Sequence, residues 1–146
     1  MPWRALTESE VDELLRSERL IRVAFAADDE RYVVPLGYAW VDGAFWGTTR
    51  VGRKTQLAGR DARVAFAIDD SIRATPFEWR SCVGEGEFCT VPLDEFTHIA
   101  GGAMAAAFPD NPAWNRDEWI AGLADGSSVC WRIRPTSLSG RVPVAP

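Results

Sequence analysis

Lysine is almost missing from this sequence. Of the 16 basic residues 15 are Arg, and Lys54 is the only Lys. Histidine is as scarce, with His98 alone. A Ser/His/Asp hydrolase centre or a multi-histidine zinc site therefore has too few imidazoles. The cysteines Cys82, Cys89 and Cys130 are odd in number and lack C-x2-C spacing. They read as thiols in a reducing compartment, not as a disulfide framework or metal clip. No apolar run approaches the ~18 residues of a membrane span. The start Met1-Pro2-Trp3-Arg4 has no apolar signal core, so a cytoplasmic protein is expected. The net charge of −5 argues against nucleic-acid and membrane-surface partners, which need basic faces. There is no internal repeat or low-complexity segment. Codon bias in a GC-rich genome accounts for the shortage of Lys, but not for the position of the one that remains.

What is present is a globular composition, 47% hydrophobic and 25% charged in 146 residues, read as one domain over residues 1–146. Thr7-x-x-Glu10 is a capping box, with Leu6 and Val11 as a hydrophobic staple, opening a helix from Glu8 to Ser17. Leu20–Ala27 and Tyr32–Val41 read as strands, and Asp42-Gly43 as a hairpin into a strand over Ala44–Thr49. Arg50–Gly59 reads as a short helix with Leu57 inward, and Ala62–Asp69 as a strand. After a connection through Thr75-Pro76, Glu78–Val91 is a long strand. Gly84 and Gly86 within it predict a bulge or a close backbone approach. Asp94–Phe108 is helical, and Asn115-x-x-Glu118 is a second capping box for a helix to about Leu123. A last strand runs over Ser128–Arg134, with Pro135 onward a tail or final turn. These segments predict a mainly antiparallel barrel of six strands with peripheral helices.

Three features carry chemistry. In Gly47-Thr48-Thr49-Arg50-Val51-Gly52-Arg53-Lys54 a strand ends, two hydroxyls follow and a helix opens with cations. Free N–H groups and the positive helix end favour an anion there. A phosphate would receive a forked contact from Arg53 and a point charge from Lys54. A solvated basic turn is the plain alternative. The second feature is Trp79-Arg80-Ser81 entering the glycine-interrupted strand; seven Trp in a small domain suggest an interface or an aromatic pocket. The third is Tyr32-Val33-Val34-Pro35-Leu36-Gly37. Its Pro removes a ladder donor, which marks an edge, a bulge or a place for a flat ligand. His98 has nothing to orient it as an acid or base. Asp28-Asp29 and Asp69-Asp70 read as solvated turns.

In order and spacing these segments, above all Tyr32–Ile68 with Arg53-Lys54 and the Ala62-Arg63-Val64-Ala65-Phe66 strand, resemble the pyridoxamine 5′-phosphate oxidase-like, FMN-binding split β-barrel family. The resemblance runs from Leu6 to about Arg141. It implies FMN as cofactor, with Arg53, Lys54 and Thr48 holding its phosphate and Thr49 among the cofactor-binding residues. It further implies that Val33, Val34, Pro35, Leu36 and Gly47 line the flavin and that Trp79 and Ser81 approach it. It implies a homodimer with the cofactor at the subunit interface, and a flavin-dependent oxidoreductase acting on a small organic substrate with no catalytic dyad and no metal. A neighbouring branch uses a deazaflavin, and a non-catalytic flavin-binding dimer is the remaining alternative. The classical oxidase carries a C-terminal Arg/His pair; this chain has Arg141 but no His beside it, so oxidation of vitamin B6 is not expected.

Overall fold

The computed structural model describes residues 2–75 and 77–145; Pro76, in the expected connection, lies outside them. The strands are β1 (Trp3–Ala5), β2 (Leu20–Ala27), β3 (Glu30–Gly37), β4 (Ala39–Val41), β5 (Ala44–Arg50), β6 (Arg63–Asp69), β7 (Ser81–Val91) and β8 (Ser128–Pro143). The helices are α1 (Glu8–Ser17), α2 (Arg53–Arg60), α3 (Leu93–Phe96), α4 (Gly102–Ala107) and α5 (Ala113–Asp125), with a π turn over Thr97–Gly101 between α3 and α4. All strands pair antiparallel in the order β3-β2-β6-β7-β8-β5-β4, and β1 joins β8. The expected antiparallel barrel with peripheral helices is present, with eight strands where six were expected.

Both extra strands have local causes. The expected Tyr32–Val41 strand breaks at Tyr38, whose ring turns into the core. Its hydroxyl donates to the Leu15 carbonyl (2.8 Å) and its backbone N–H to that of Arg19 (3.0 Å). That divides it into β3 and β4. Trp3–Ala5 becomes β1 because β8 runs past Pro135 to Pro143 and offers a partner. Pro135 does not end β8 because a bulge absorbs it. Glu85 faces Ser137 while Gly86 faces Pro135, leaving Thr136 as the extra residue. The Thr136 hydroxyl donates to the Glu85 carbonyl (3.2 Å), and the Glu85 N–H donates to Ser137 Oγ (3.1 Å). Side chains thus replace the ladder bond that Pro cannot make. Gly84 is the close approach: a Cβ there would sit 2.1 Å from the Ser137 carbonyl oxygen.

The capping box of α1 forms as expected: Thr7 Oγ1 accepts from the Glu10 N–H (3.2 Å) and the Glu10 carboxylate from that of Thr7 (2.8 Å). The Asp42-Gly43 hairpin also forms, with both residues at positive φ (52° and 70°). The second capping box does not. Pro112 precedes α5 with extended backbone and no side-chain cap, and Asn115 donates to the Asn111 carboxamide oxygen instead (2.6 Å).

Two cores flank β5 and β8. Inside the barrel lie Phe25, Tyr38, Phe45, Phe88 and Trp131, closed by Leu14 and Leu15 of α1 and Leu57 of α2. Outside it, Ala39, Ala44, Trp46 and Cys130 pack against Phe96, Ala100 and Met104 of the helical layer. Each large side chain so buried contributes about 1.5–3 kcal/mol. The sheet's ends approach without a shared ladder. A Cβ on Gly47 would meet the Gly37 carbonyl oxygen at 2.6 Å and the Trp131 ring at 2.5 Å.

Candidate functional site

The helix that carries Arg53 and Lys54 starts without an acidic residue in its first turn. Gly52 N–H donates to Thr55 Oγ1 (2.9 Å), and that hydroxyl donates back to the Gly52 carbonyl (2.9 Å). This clasp fixes the turn, and the N–H groups of Arg53 and Lys54 point out of the helix without intrahelical acceptors. The Arg53 guanidinium lies over the Tyr32 ring, 5.2 Å from its centroid, a cation–π seat of about 0.5–1 kcal/mol. Lys54 is half-buried, and burial pushes its ammonium below the ordinary value. Neither cation makes a salt bridge among the described residues, whereas Arg60 at the other end of α2 pairs with Asp28 (2.9 Å) and Glu30 (3.2 Å). Two cations without a salt bridge thus stand at the positive end of a helix dipole, beside N–H groups that lack an intrahelical acceptor.

The remaining expected site residues divide into separate places. Val33 and Pro35 are exposed on the outer face of β3, while Val34 and Leu36 turn inward to the core. β3 ends the sheet order, so the missing N–H of Pro35 is tolerated there. The bare backbone at Gly37 is covered: the Phe108 ring would sit 2.9 Å from a Cβ there. Along β5, Gly47 and Thr49 face one side and Thr48 the other. Thr48 lines the cavity under the helical layer, and its hydroxyl is buried without a hydrogen-bond partner. Neither Arg53 nor Lys54 lines that cavity. Trp79 is half-buried, edge-on to Trp3 (5.7 Å between centroids). Ser81 pairs with Asp69 and Arg141. Tyr32, under Arg53, pairs with Phe25 in the row of Val64. From Val64 to Asp69 is five residues, about 16 Å along the strand. One chain thus leaves Trp79 and Ser81 far from Arg53.

The profile of the pyridoxamine 5′-phosphate oxidase family matches residues 7–142, from the cap of α1 to near the end of β8. The chain belongs to this family.

Solved structures share the fold. An FAD-binding protein from Mesorhizobium loti is 27% identical, with a TM-score of 0.75, over 97% of this chain and 98% of its own. The FAD-binding protein from Mycobacterium smegmatis is 20% identical, with a TM-score of 0.66, over 94% and 98%. The heme storage protein HutZ from Vibrio cholerae is 16% identical, with a TM-score of 0.67, over 90% and 92%. No curated protein matches the sequence.

Cys82 and Cys130 are buried, and burial pushes both thiols up, away from nucleophilic thiolate. His98 is exposed on the π turn. Asp70, expected in a solvated turn, is buried; it accepts from Arg80 N–H (2.6 Å) and Nε (2.8 Å). Arg80 also reaches Glu13 (3.3 Å), so the centre of Trp79-Arg80-Ser81 clamps a loop. Two contributors escaped sequence reading: Tyr32 as the seat of Arg53, and Phe108 as the cover of Gly37. Tyr32 lies within the flagged strand, but no local signal links Phe108 to it.

Proposed function

We propose that this protein binds FMN and acts as a flavin-dependent oxidoreductase on a small organic substrate, working as a homodimer in the cytoplasm. The observation that carries the reading is the half-buried, unpaired Lys54 beside Arg53 at the open end of α2. A phosphate monoester satisfies both cations and the free N–H groups at once. Membership of the family supports a flavin, as do two relatives named as FAD-binding proteins. A single cationic cluster favours FMN over the longer dinucleotide.

When bound, flavin supplies the hydride or electron transfer. The chain's own residues bind and orient: Arg53 forks onto the phosphate and stays aligned by Tyr32, while Lys54 adds charge from a partly dry site. Val33 and Pro35 present apolar surface on the outer face of β3, opposite the face that carries Tyr32. The distance of Trp79 and Ser81 from Arg53 supports a site completed by a second copy of the chain. The free thiols fit a reducing compartment, and among the described residues no helix is long and apolar enough to cross a membrane.

Titration of the purified protein with FMN, riboflavin, FAD and a deazaflavin, followed by absorbance and flavin fluorescence, tests the reading. FMN should bind tightest and riboflavin at least about ten-fold more weakly, since it lacks the charge that Arg53 and Lys54 meet. Equal affinity for FMN and riboflavin removes the phosphate role. Uptake of the deazaflavin with FMN ignored moves the protein to the deazaflavin branch. Flavin that binds but is never reduced by NAD(P)H or reoxidised by an acceptor favours a non-catalytic module.

A further inference from the structure

A cavity of about 300 Å³ lies between β5 and the helical layer, and neither Arg53 nor Lys54 lines it. Its walls are apolar and aromatic: Phe96, Met104, Phe108, Trp119 and Leu123. A void of this size holds a one-ring molecule comfortably, since a cavity half as large accepts benzene. Polar side chains interrupt the walls at Thr48, Asn111 and Arg116, and of these Asn111 is already paired, accepting from Asn115 Nδ2 (2.6 Å). The Thr48 hydroxyl is buried there with no partner, a state that native structures avoid unless something else fills it. Arg116 stands at the rim, exposed and with no salt bridge among the described residues. Three other arginines have carboxylates: Arg19 with Asp110 (3.2 Å), Arg50 with Glu118 (3.2 Å) and Arg132 with Glu95 (3.4 Å). Finally, the π turn places Gly101 at the wall, and π insertions concentrate at functional sites.

We propose that this cavity binds a small aromatic monocarboxylate, its ring between Phe108 and Trp119, its carboxylate on Arg116 and a ring hydroxyl meeting Thr48. The apolar walls select a ring, the unpaired guanidinium selects an anion, and the orphaned hydroxyl selects a polar substituent at the inner end. The site stands whether or not flavin binds at Arg53 and Lys54.

Titration of the full-length protein with para-hydroxybenzoate and its neutral amide, para-hydroxybenzamide, read by Trp fluorescence with and without FMN, tests this. The acid should quench saturably and bind about ten-fold tighter than the amide, reflecting a charge-assisted pair. Arg116→Gln, a change at an exposed residue, should erase that preference and leave amide binding unchanged. Thr48→Val should remove the advantage of para-hydroxybenzoate over benzoate, and Trp119→Phe should remove most of the quenching. Equal binding of acid and amide, indifference to Arg116→Gln, or no saturation at millimolar concentration overturns the proposal. FMN affinity, read separately by flavin absorbance, tells failure of this site from failure of the flavin site.

Discussion

At the residue scale, Lys54 is held where the folded chain gains least from it. Its ammonium is depressed below 10.5 by burial, so the unfolded chain holds that proton more tightly. The penalty is therefore full at neutral pH and fades as pH rises through the window between the depressed value and 10.5. Lys54→Met should raise the stability of the ligand-free protein by less than about 1 kcal/mol while weakening FMN binding about ten-fold or more. Thermal melts and a flavin titration on the same variant check both signs; a loss of stability would mean that Lys54 has a structural partner. Gly47 makes a different demand. A methyl there meets both a carbonyl and an indole, so Gly47→Ala should cost about 1–3 kcal/mol in denaturant unfolding. The cation-bearing start of α2 was legible in sequence because a rare residue type stood at a strand-to-helix turn. Phe108 over Gly37 was not, because the contact joins residues far apart in the chain.

The elements show the same division. α1 was readable to the residue because Thr7 and Glu10 satisfy its first N–H groups locally. Glu10 also pairs with Arg4 of β1 (2.8 Å). The Arg4 guanidinium first, and the Thr7 backbone N–H second, bring the Glu10 carboxyl from 4.5 to about 2. A depressed acid contributes stability above 4.5 that is lost as pH falls toward about 2. Hydrogen exchange should show β1 and the first turn of α1 opening in that window, ahead of the barrel. In Glu10→Gln these amides should exchange fast at neutral pH too, with no further step on acidification. The start of α5 and the end of β8 were illegible for a common reason. Pro112 and Pro135 look like breakers in isolation, and only the neighbouring backbone makes one a cap and the other part of a bulge.

At the scale of the molecule, the sheet leaves a face uncovered. Val33, Ala24, Ala65, Glu85 and Ser137 follow one another across β3, β2, β6, β7 and β8, and with Arg22, Val83 and Leu138 they bound an open hollow of about 780 Å³. This is the face on which the proposed dimer would form. Ala65→Arg sits beside Glu85, so the single chain keeps a cross-strand charge pair, but a second copy cannot close over it. Sedimentation should show a monomer, and flavin should be lost with the partner; a dimer of unchanged affinity would place the interface elsewhere. The antiparallel plan of this sheet was legible from hairpin signals, but its strand order was not, because long-range pairing leaves little local trace. β8 shows what that order entails. It is the latest strand in the chain, yet β1, β5 and β7 all pair with it. A ribosome must deliver nearly everything before the middle of the sheet exists. Until then the nascent chain displays the open edges of β5 and β7. Expression of this protein should therefore depend on what shields those edges during synthesis, and a transcript cut short before Ser128 should yield aggregate instead of a smaller domain.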